Sequence, residues 1–213
     1  MTAVSAPHRQ ARTSTSDTRR RCSRSSRGVP ASLTTWSGPA KERKYWALDP
    51  DSGAVQWVTQ AAPGGTAGGL QWGSAVDDPR VYTANANSNF VPWTLQPGGT
   101  TSTTKGVWSG LDAVTGAVPW QTTPPNGGAS SGPVTTANGI VFGCSLDALG
   151  YMYALNGATG AVLRSFPSGG SCPSGAAISN GTVYWGSCYS NFGFGTPTRS
   201  ACPADLMRRI GSV

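Results

Sequence analysis

A similar sequence motif occurs three times along this 213-residue chain, and it constrains the fold more than any other feature. The copies read YWALDPDSGAVQW at 45–57, VWSGLDAVTGAVPW at 107–120 and YMYALNGATGAVLRSF at 151–166. In each copy an aromatic and aliphatic run ends at a short acid or amide, a glycine follows four residues later, and Ala-Val resumes the run. The short side chain can cap a turn and the glycine can take the positive φ that closes it, so each copy predicts a β-hairpin. The repeated positions are Asp49, Gly53 and Trp57, then Asp112, Gly116 and Trp120, then Asn156 and Gly160.

A second type of hairpin alternates with the first. Asn-Gly pairs at 138–139 and 180–181 stand between alternating strand patterns, and this dipeptide is the strongest short-range signal for a two-residue hairpin loop. The segment 74–84 matches them, with Asp-Asp-Pro-Arg at 77–80 in the place of the turn. Two hairpins in each unit make four strands.

The spacing of the repeats supports this count of strands. Gly116 and Gly160 are 44 residues apart, within the range of about 40 to 45 residues for one four-stranded propeller blade. The first unit is 19 residues longer, and its extra Gly, Pro, Asn and Thr between Ala84 and Gly106 predict an extended loop. We therefore predict an all-β fold, a partial β-propeller of about three four-stranded antiparallel blades.

The two ends of the chain differ from the repeats in composition and charge. The formal net charge is +7, divided as +8 over residues 1–44, −3 over 45–197 and +2 over 198–213. We predict a disordered basic arm at 1–43, a propeller segment at 44–197 and a disordered non-repeat tail at 198–213. The arm is either a segment that is not part of the fold or a nucleic-acid-binding arm. A nucleic-acid partner is not expected, since no aromatic or folded module accompanies the arginines.

Composition excludes several chemistries from the repeat region. The single histidine, His8, and the single glutamate, Glu42, both lie in the basic arm, so a histidine triad or a His-ligated metal is excluded from the repeats. There is no CxxC and no CxxCH, which leaves zinc and covalent haem unsupported. Cys144 and Cys172 are our first choice for one disulfide, with free cysteines as the alternative. No apolar run approaches the ~20 residues of a membrane span, and no signal-peptide pattern is visible.

The repeat resembles the tryptophan-docking motif A-x-D-x-x-T-G-K-x-x-W of pyrroloquinoline quinone (PQQ) repeat propellers, the quinoprotein dehydrogenase family. The first copy matches at Ala47, Asp49, Ser52 for Thr, Gly53 and Trp57; the second at Gly110 for Ala, Asp112, Thr115, Gly116 and Trp120; the third at Ala154, Asn156 for Asp, Thr159 and Gly160. Arg164 stands where the third Trp is expected, and all three copies have Ala in the place of Lys. The text around the repeats looks most like the polyvinyl-alcohol dehydrogenase type. A large indole at one place in each blade can wedge between neighbours, so Trp57 and Trp120 are expected to be structural.

The resemblance also implies a cofactor site. PQQ would lie near the propeller axis on a tryptophan, with Ca²⁺ held by oxygen ligands and an aspartate as base. The loops that enter the inner strands are expected to line this axis. They offer Trp72 as an aromatic platform, or as one more packed indole, and Gln71, Ser131 and Ser174 as polar contacts. Asp77 and Asp147 are candidates for the base or a cation ligand.

The resemblance implies function only for a complete ring, because a closed propeller needs at least about four blades. We expect a segment of a PQQ-dependent alcohol dehydrogenase that is inactive alone, completed by missing blades or a partner chain, and passing electrons to an external cytochrome. The family implies a periplasmic or secreted location. The alternative is a non-enzymatic PQQ-like propeller scaffold that binds proteins.

Overall fold

The computed structural model describes residues 44–66, 69–70, 72–147 and 149–186, together with the backbone of Met207–Ile210. All regular structure in these residues is β. The strands are β1 (Lys44–Leu48), β2 (Val55–Gln60), β3 (Ala75–Asp77), β4 (Arg80–Asn85), β5 (Trp93–Thr94), β6 (Ser102–Thr103), β7 (Val107–Asp112), β8 (Trp120–Thr122), β9 (Thr135–Ala137), β10 (Ile140–Cys144), β11 (Tyr151–Asn156), β12 (Val162–Pro167), β13 (Ala177–Ser179), β14 (Thr182–Gly186) and β15 (Met207–Ile210). Within the same residues, no helix is long and apolar enough to cross a membrane.

Two four-stranded antiparallel sheets form the centre of the fold. Blade 2 has the order β3-β4-β7-β8, and blade 3 has the order β9-β10-β11-β12. Blade 1 consists of β1 and β2, and blade 4 consists of β13, β14 and β15. Each complete blade joins an Asn-Gly type hairpin to the repeat hairpin that follows it. The predicted all-β partial propeller is confirmed, with two complete and two partial blades among the described residues.

The turns have the backbone that their residues predict. Asn138 and Gly139 have φ values of 51° and 74°, and Asn180 and Gly181 have 47° and 68°. Two successive residues at positive φ define the type I′ turn, whose twist matches that of the flanking strands.

Apolar side chains fill the three spaces between consecutive blades. Blades 1 and 2 enclose a cluster that includes Tyr45, Trp57 and Leu111, and blades 2 and 3 enclose one that includes Trp108 and Tyr153. Phe142 and Trp185 belong to the third cluster, between blades 3 and 4. Blades 2 and 3 thus bury both faces against their neighbours, which makes the stability of one blade depend on the next.

The insertion in blade 2 differs from the extended loop that the sequence predicts. It contains the short hairpin β5–β6, in which Trp93 pairs with Thr103. The Trp93 indole N–H and the Gln96 backbone N–H both donate to the side-chain oxygen of Gln121 on β8, each at 2.9 Å. One buried amide on the blade therefore orders this hairpin. Composition did not reveal it, because the contact is remote in sequence.

Part of the predicted C-terminal tail is among the described residues. Its residues Met207–Ile210 form β15, which pairs antiparallel with β14 in blade 4. An open strand edge presents unpaired N–H and C=O groups, and almost any extended segment can pair with it. The rest of the predicted tail at 198–213 lies outside the described residues. The predicted basic arm at 1–43 lies outside the described residues.

Candidate functional site

The connections between strands divide the blades into two ends. The short turns at 49–54, 78–79, 113–119, 138–139, 157–161 and 180–181 form one end, which we call the turn end. The connections at 61–74, 86–106, 123–134, 145–150 and 168–176 form the other end, which we call the loop end, and all of them except 145–150 are longer than those of the turn end. Binding residues concentrate on long connections carried by a rigid scaffold, so a binding site is expected at the loop end.

The turn end is used for joining the blades. The Trp57 indole of blade 1 lies on the turn of blade 2, where its N–H donates to the Ala113 carbonyl at 3.1 Å. The Trp120 indole of blade 2 does the same on blade 3, donating to the Gly157 carbonyl at 2.9 Å. Next to the indoles, the hydroxyls of Thr59 and Thr122 donate to the carbonyls of the turn glycines at 2.6 and 2.7 Å. These contacts make the repeat motif a docking device between blades.

The aspartates of the repeat turns cap the turn backbone as carboxylates. The Asp49 carboxylate accepts hydrogen bonds from the backbone N–H and the hydroxyl of Ser52, both at 2.8 Å, and these lower its pKa. Burial tends to raise the pKa of Asp112, but hydrogen bonds from Thr115 outweigh it and the pKa is lowered. Asn156 accepts from the Ala158 and Thr159 backbones in the same way without a charge.

At the loop end, the three loops that enter the inner strands lie side by side. The Val134 N–H donates to the Gly73 carbonyl at 3.3 Å, and the Thr135 hydroxyl donates to the Ala176 carbonyl at 2.7 Å. A Cβ on Gly132 would lie 3.1 Å from the Pro173 carbonyl oxygen, so these two loops are also in close contact. The sequence expectation that these loops share one edge agrees with these contacts.

The predicted cofactor contacts differ in how available they are. Trp72 is 50% exposed, so its ring is not a packed core indole. Ser131 is half-buried at the same edge. The Ser174 hydroxyl donates to the Gly186 carbonyl at 2.6 Å, which commits its proton to the backbone of blade 4. Gln71 lies outside the described residues.

The two predicted aspartates lie at opposite ends of the blades. Asp77 ends β3 at the turn end, where it accepts from the Arg80 backbone at 3.3 Å and from the Tyr82 hydroxyl at 2.9 Å. Burial, together with this carboxylate, raises the pKa of Tyr82 well above its usual value. The structure therefore brings Asp147 to the loop end and leaves Asp77 away from it.

Asp147 lines a cleft of about 500 Å³ at the loop end, which we call the insertion cleft. Phe90 and Lys105 of the insertion form one wall, Asn126 of the connection into β9 forms a second, and Leu146 with Asp147 forms the third. The cleft is within the range of about 300 to 1,000 Å³ for small-molecule sites. It lies between blades 2 and 3.

The buried Tyr153 side chain lies near Asn126, Ser145 and Asp147. Its hydroxyl has no hydrogen-bond partner within the described part of the chain. Burial and, to a smaller extent, the charge on Asp147 raise the pKa of Tyr153 to about 12, against the opposite effect of the Asn126 backbone and the Ser145 side chain. Tyr153 therefore stays protonated at neutral pH, as a donor close to the Asp147 carboxylate.

Asn87 holds the insertion in place. Its amide donates to the carbonyls of Val91 at 2.9 Å and Lys105 at 3.3 Å, and its side-chain oxygen accepts from the Val91 N–H at 3.0 Å. One side chain thus ties both ends of the insertion together. The Asn87 backbone is left-handed, with a φ of 47°, a conformation that asparagine adopts more readily than most residues.

Sequence reasoning did not find Lys105, Asn126 or Tyr153. The only signal was the 19-residue excess of the first unit, which marked the insertion as a place for binding residues without naming any. These three residues come from different connections or strands, and only the packing of blade 2 on blade 3 brings them together.

A disulfide lies at the same end. Cys144 at the end of β10 is bonded to Cys172 in the connection into β13, and both residues are fully buried. The preferred pairing of the sequence analysis is therefore confirmed. The bond ties blade 3 to the loop that enters blade 4.

The described residues do not provide a complete cofactor site. They contain no group of three or more His, Cys, Asp or Glu side chains that could hold a metal ion. PQQ carries three carboxylates, whereas Lys105 is the one cationic side chain that lines the insertion cleft. These donors do not fit PQQ with Ca²⁺ unless further groups come from outside the described residues.

Comparison with known proteins finds similarity to solved structures alone. No model of a protein family matches it, and no curated protein matches it. The solved structure of BamB from Moraxella catarrhalis is 19% identical with a TM-score of 0.48, over 69% of this chain and 38% of that chain. The quinohemoprotein alcohol dehydrogenase from Comamonas testosteroni is 16% identical with a TM-score of 0.48, over 69% of this chain and 31% of that chain. A europium-containing methanol dehydrogenase is 14% identical with a TM-score of 0.41, over 59% of this chain and 21% of that chain.

The chain therefore spans between about a fifth and two fifths of the length of these solved structures. Identities this low concern the fold and carry nothing about activity. The class that the fold itself defines is a tryptophan-docked, partial β-propeller with its long loops on one end.

Proposed function

We propose that this chain is a segment of a PQQ-dependent alcohol dehydrogenase, of the polyvinyl-alcohol dehydrogenase type that its repeats resemble. The observation that carries the proposal is the docking motif. Its signature residues occur at the spacing of the quinoprotein repeat, and the two indoles make equivalent hydrogen bonds from one blade to the next. Two copies that agree in both spacing and contacts support the motif more strongly than spacing alone.

The proposed role of the chain is to supply part of the ring. PQQ supplies the redox chemistry when it is bound, and Ca²⁺ orients it. From this chain, Trp72 would offer its exposed face to the cofactor, and Ser131 would offer a hydroxyl at the same edge. The missing blades or a partner chain would supply the remaining cations and carboxylates. Electrons would leave to an external cytochrome, since the sequence has no haem attachment motif.

We also propose that the protein works outside the cytoplasm. A buried disulfide such as Cys144–Cys172 forms and persists in oxidising compartments and is rare in the cytosol. This agrees with the periplasmic or secreted location that the family resemblance implies.

The test loads the protein with PQQ and Ca²⁺ and follows dye-coupled oxidation of a secondary alcohol. The chain alone is expected to show no turnover, and the chain completed by further blades is expected to oxidise the alcohol. Quenching of tryptophan fluorescence by PQQ reports binding separately. Trp72→Ala should reduce this quenching, whereas Val114→Ala, an exposed apolar residue at the turn end, should leave it unchanged.

Two results would count against the proposal. A completed propeller that binds no PQQ would favour the protein-binding scaffold. Binding that Trp72→Ala leaves unaffected would remove Trp72 from the site while keeping the cofactor.

A further inference from the structure

The insertion cleft has a wall that packing does not explain. Phe90 has a φ of 54°, a left-handed conformation that is a genuine outlier for a bulky residue. Its ring is nevertheless 59% exposed, so the strained backbone does not serve to bury an apolar side chain. Residues held in sparsely populated backbone conformations cluster at active sites and ligand clamps. Phe90 therefore points to a ligand that covers its ring.

The backbone around Phe90 is fixed before any ligand arrives. The Phe90 N–H donates to the Asn87 carbonyl at 2.9 Å, and the Asn87 side chain holds Val91 and Lys105 on either side. Gly128 lies so close to Asp147 that a Cβ would be 2.7 Å from its backbone nitrogen. The walls of the cleft are thus connected through backbone contacts, as a preformed small-molecule site requires.

The polar groups of the cleft have unused hydrogen-bonding capacity. Lys105 makes no ion pair within the described residues, and its ammonium group lies 5.8 Å from the centre of the Phe90 ring. Asn126 is exposed, and its amide makes no side-chain hydrogen bond in the part of the chain that the structure describes. The Asp147 carboxylate accepts from the Ser145 hydroxyl and from the Leu149 N–H, which leaves lone pairs on both oxygens.

These groups select a ligand by charge. The cleft has one ammonium group and one carboxylate, so a charged ligand would meet repulsion from one of them as it loses water. A hydroxyl group can donate to Asp147 and accept from Lys105 or Asn126, and several hydroxyls on one molecule can do so together. The Phe90 ring and the buried Leu146 offer apolar surface for the C–H face of such a molecule.

We propose that the insertion cleft binds an uncharged, hydroxyl-rich ligand of the saccharide class. The Phe90 ring packs on the apolar face of the ligand, and Asp147, Asn126 and Lys105 hydrogen-bond to its hydroxyls. This inference concerns binding alone and holds whether or not the chain takes part in a quinoprotein.

The test is a saturation-transfer NMR titration of the full chain with three linear trisaccharides of similar size. Cellotriose is neutral, trigalacturonate is anionic and the glucosamine trimer is cationic. We expect saturable binding of cellotriose with a dissociation constant on the order of 1 mM, and weaker binding of the two charged probes. Tighter binding of either charged probe, or no saturable binding of cellotriose, would overturn the proposal.

Three variants localise the binding. Phe90→Ala and Asp147→Asn should each weaken cellotriose binding by about tenfold, a loss typical of one aromatic or polar contact. Val114→Ala, at the turn end, is the matched control and should bind as the parent does. Because Phe90 is exposed, its replacement leaves the core intact. Unchanged binding by Phe90→Ala would refute the assignment of the cleft.

Discussion

Three turn glycines allow the docking contact to be measured separately from the turn. Gly53, Gly116 and Gly160 occupy the same place in the repeat and have φ values of 72°, 73° and 72°. An indole covers Gly116 and Gly160, whereas a Cβ on Gly53 would have no atom within 4 Å. Gly53→Ala therefore introduces backbone strain alone, and Gly160→Ala introduces the same strain and a clash.

The magnitude follows from the geometry. A left-handed alanine costs about 1 to 2 kcal/mol at either position. At Gly160 the added Cβ would lie 2.3 Å from Cε3 of Trp120, closer than any real contact, and overpacking of this kind costs a further 1 to 3 kcal/mol or so. Gly53→Ala should thus destabilise the chain by about 1 to 2 kcal/mol, and Gly160→Ala by about 2 to 5 kcal/mol.

The assay is equilibrium unfolding in urea, followed by tryptophan fluorescence and circular dichroism, for both variants and the parent chain. In a Trp120→Leu background, Gly160→Ala should cost less than it does in the parent chain, because the smaller side chain leaves room for the new methyl group. Equal destabilisation by the two glycine variants, within about 0.5 kcal/mol, would show that the turn needs glycine only for its φ and that the indole contact contributes nothing.

Three further predictions concern the turn acids, the disulfide and the insertion. The lowered pKa of Asp112 implies stability that is present above its unfolded value of 3.8 and is lost as the pH falls through the folded value. Asp112→Asn, which copies Asn156, should therefore flatten the melting temperature between about pH 5 and pH 2, and an unchanged profile would contradict this. The disulfide closes a loop with a sequence separation of 28, so Cys144→Ser with Cys172→Ser should lower the free energy of unfolding by about 3 to 4 kcal/mol, measured against the parent with and without reductant. Asn87→Gly tolerates the positive φ but removes three hydrogen bonds of about 1 kcal/mol each, so hydrogen exchange should speed up in the insertion and stay slow in β7 of the same blade.

The parts of the fold that the sequence could predict are those set by local chemistry. Asn138-Gly139 adopts the type I′ backbone because both residues tolerate positive φ, and no distant contact is needed. The same holds for the cap at Asp49 and for Gly53. A repeat of local signals with one period then implies a stack of sheets, since each sheet needs a neighbour to bury its faces.

The candidate site could be predicted only in part, because it depends on contacts between remote residues. The loop-end connections share one end because strands alternate in direction, and the structure has Asp147 at this end. The same alternation places Asp77 at the turn end, which sequence proximity to the loop at 69–73 concealed. Lys105 reaches the cleft because its stem lies against Gly127, where a Cβ would be 3.5 Å from the lysine Cε.

The pairing of β15 shows how little the third strand of a blade depends on its own repeat signature. Val81 pairs with Leu111 in blade 2, Val141 with Leu155 in blade 3, and Val183 with Ile210 in blade 4. The register is thus kept, and a branched aliphatic residue occupies the same place each time, although the Met207–Ile210 segment lacks the aromatic and alanine pattern of the repeat. The backbone makes the hydrogen bonds between strands, so a segment that pairs with the open edge of β14 needs above all an extended conformation.

Docking makes a stricter demand than pairing. It requires an indole on one blade and, on the next, a turn glycine whose missing Cβ leaves room for it, as Trp57 with Gly116 and Trp120 with Gly160 show. At the third place Arg164 stands on β12 and is exposed. Strand pairing can therefore extend a sheet with a segment that lacks the repeat motif, whereas the contact between blades requires particular residues on both blades. The residues of the repeat motif are for this reason required by the contacts between blades more than by the pairing of strands within a blade.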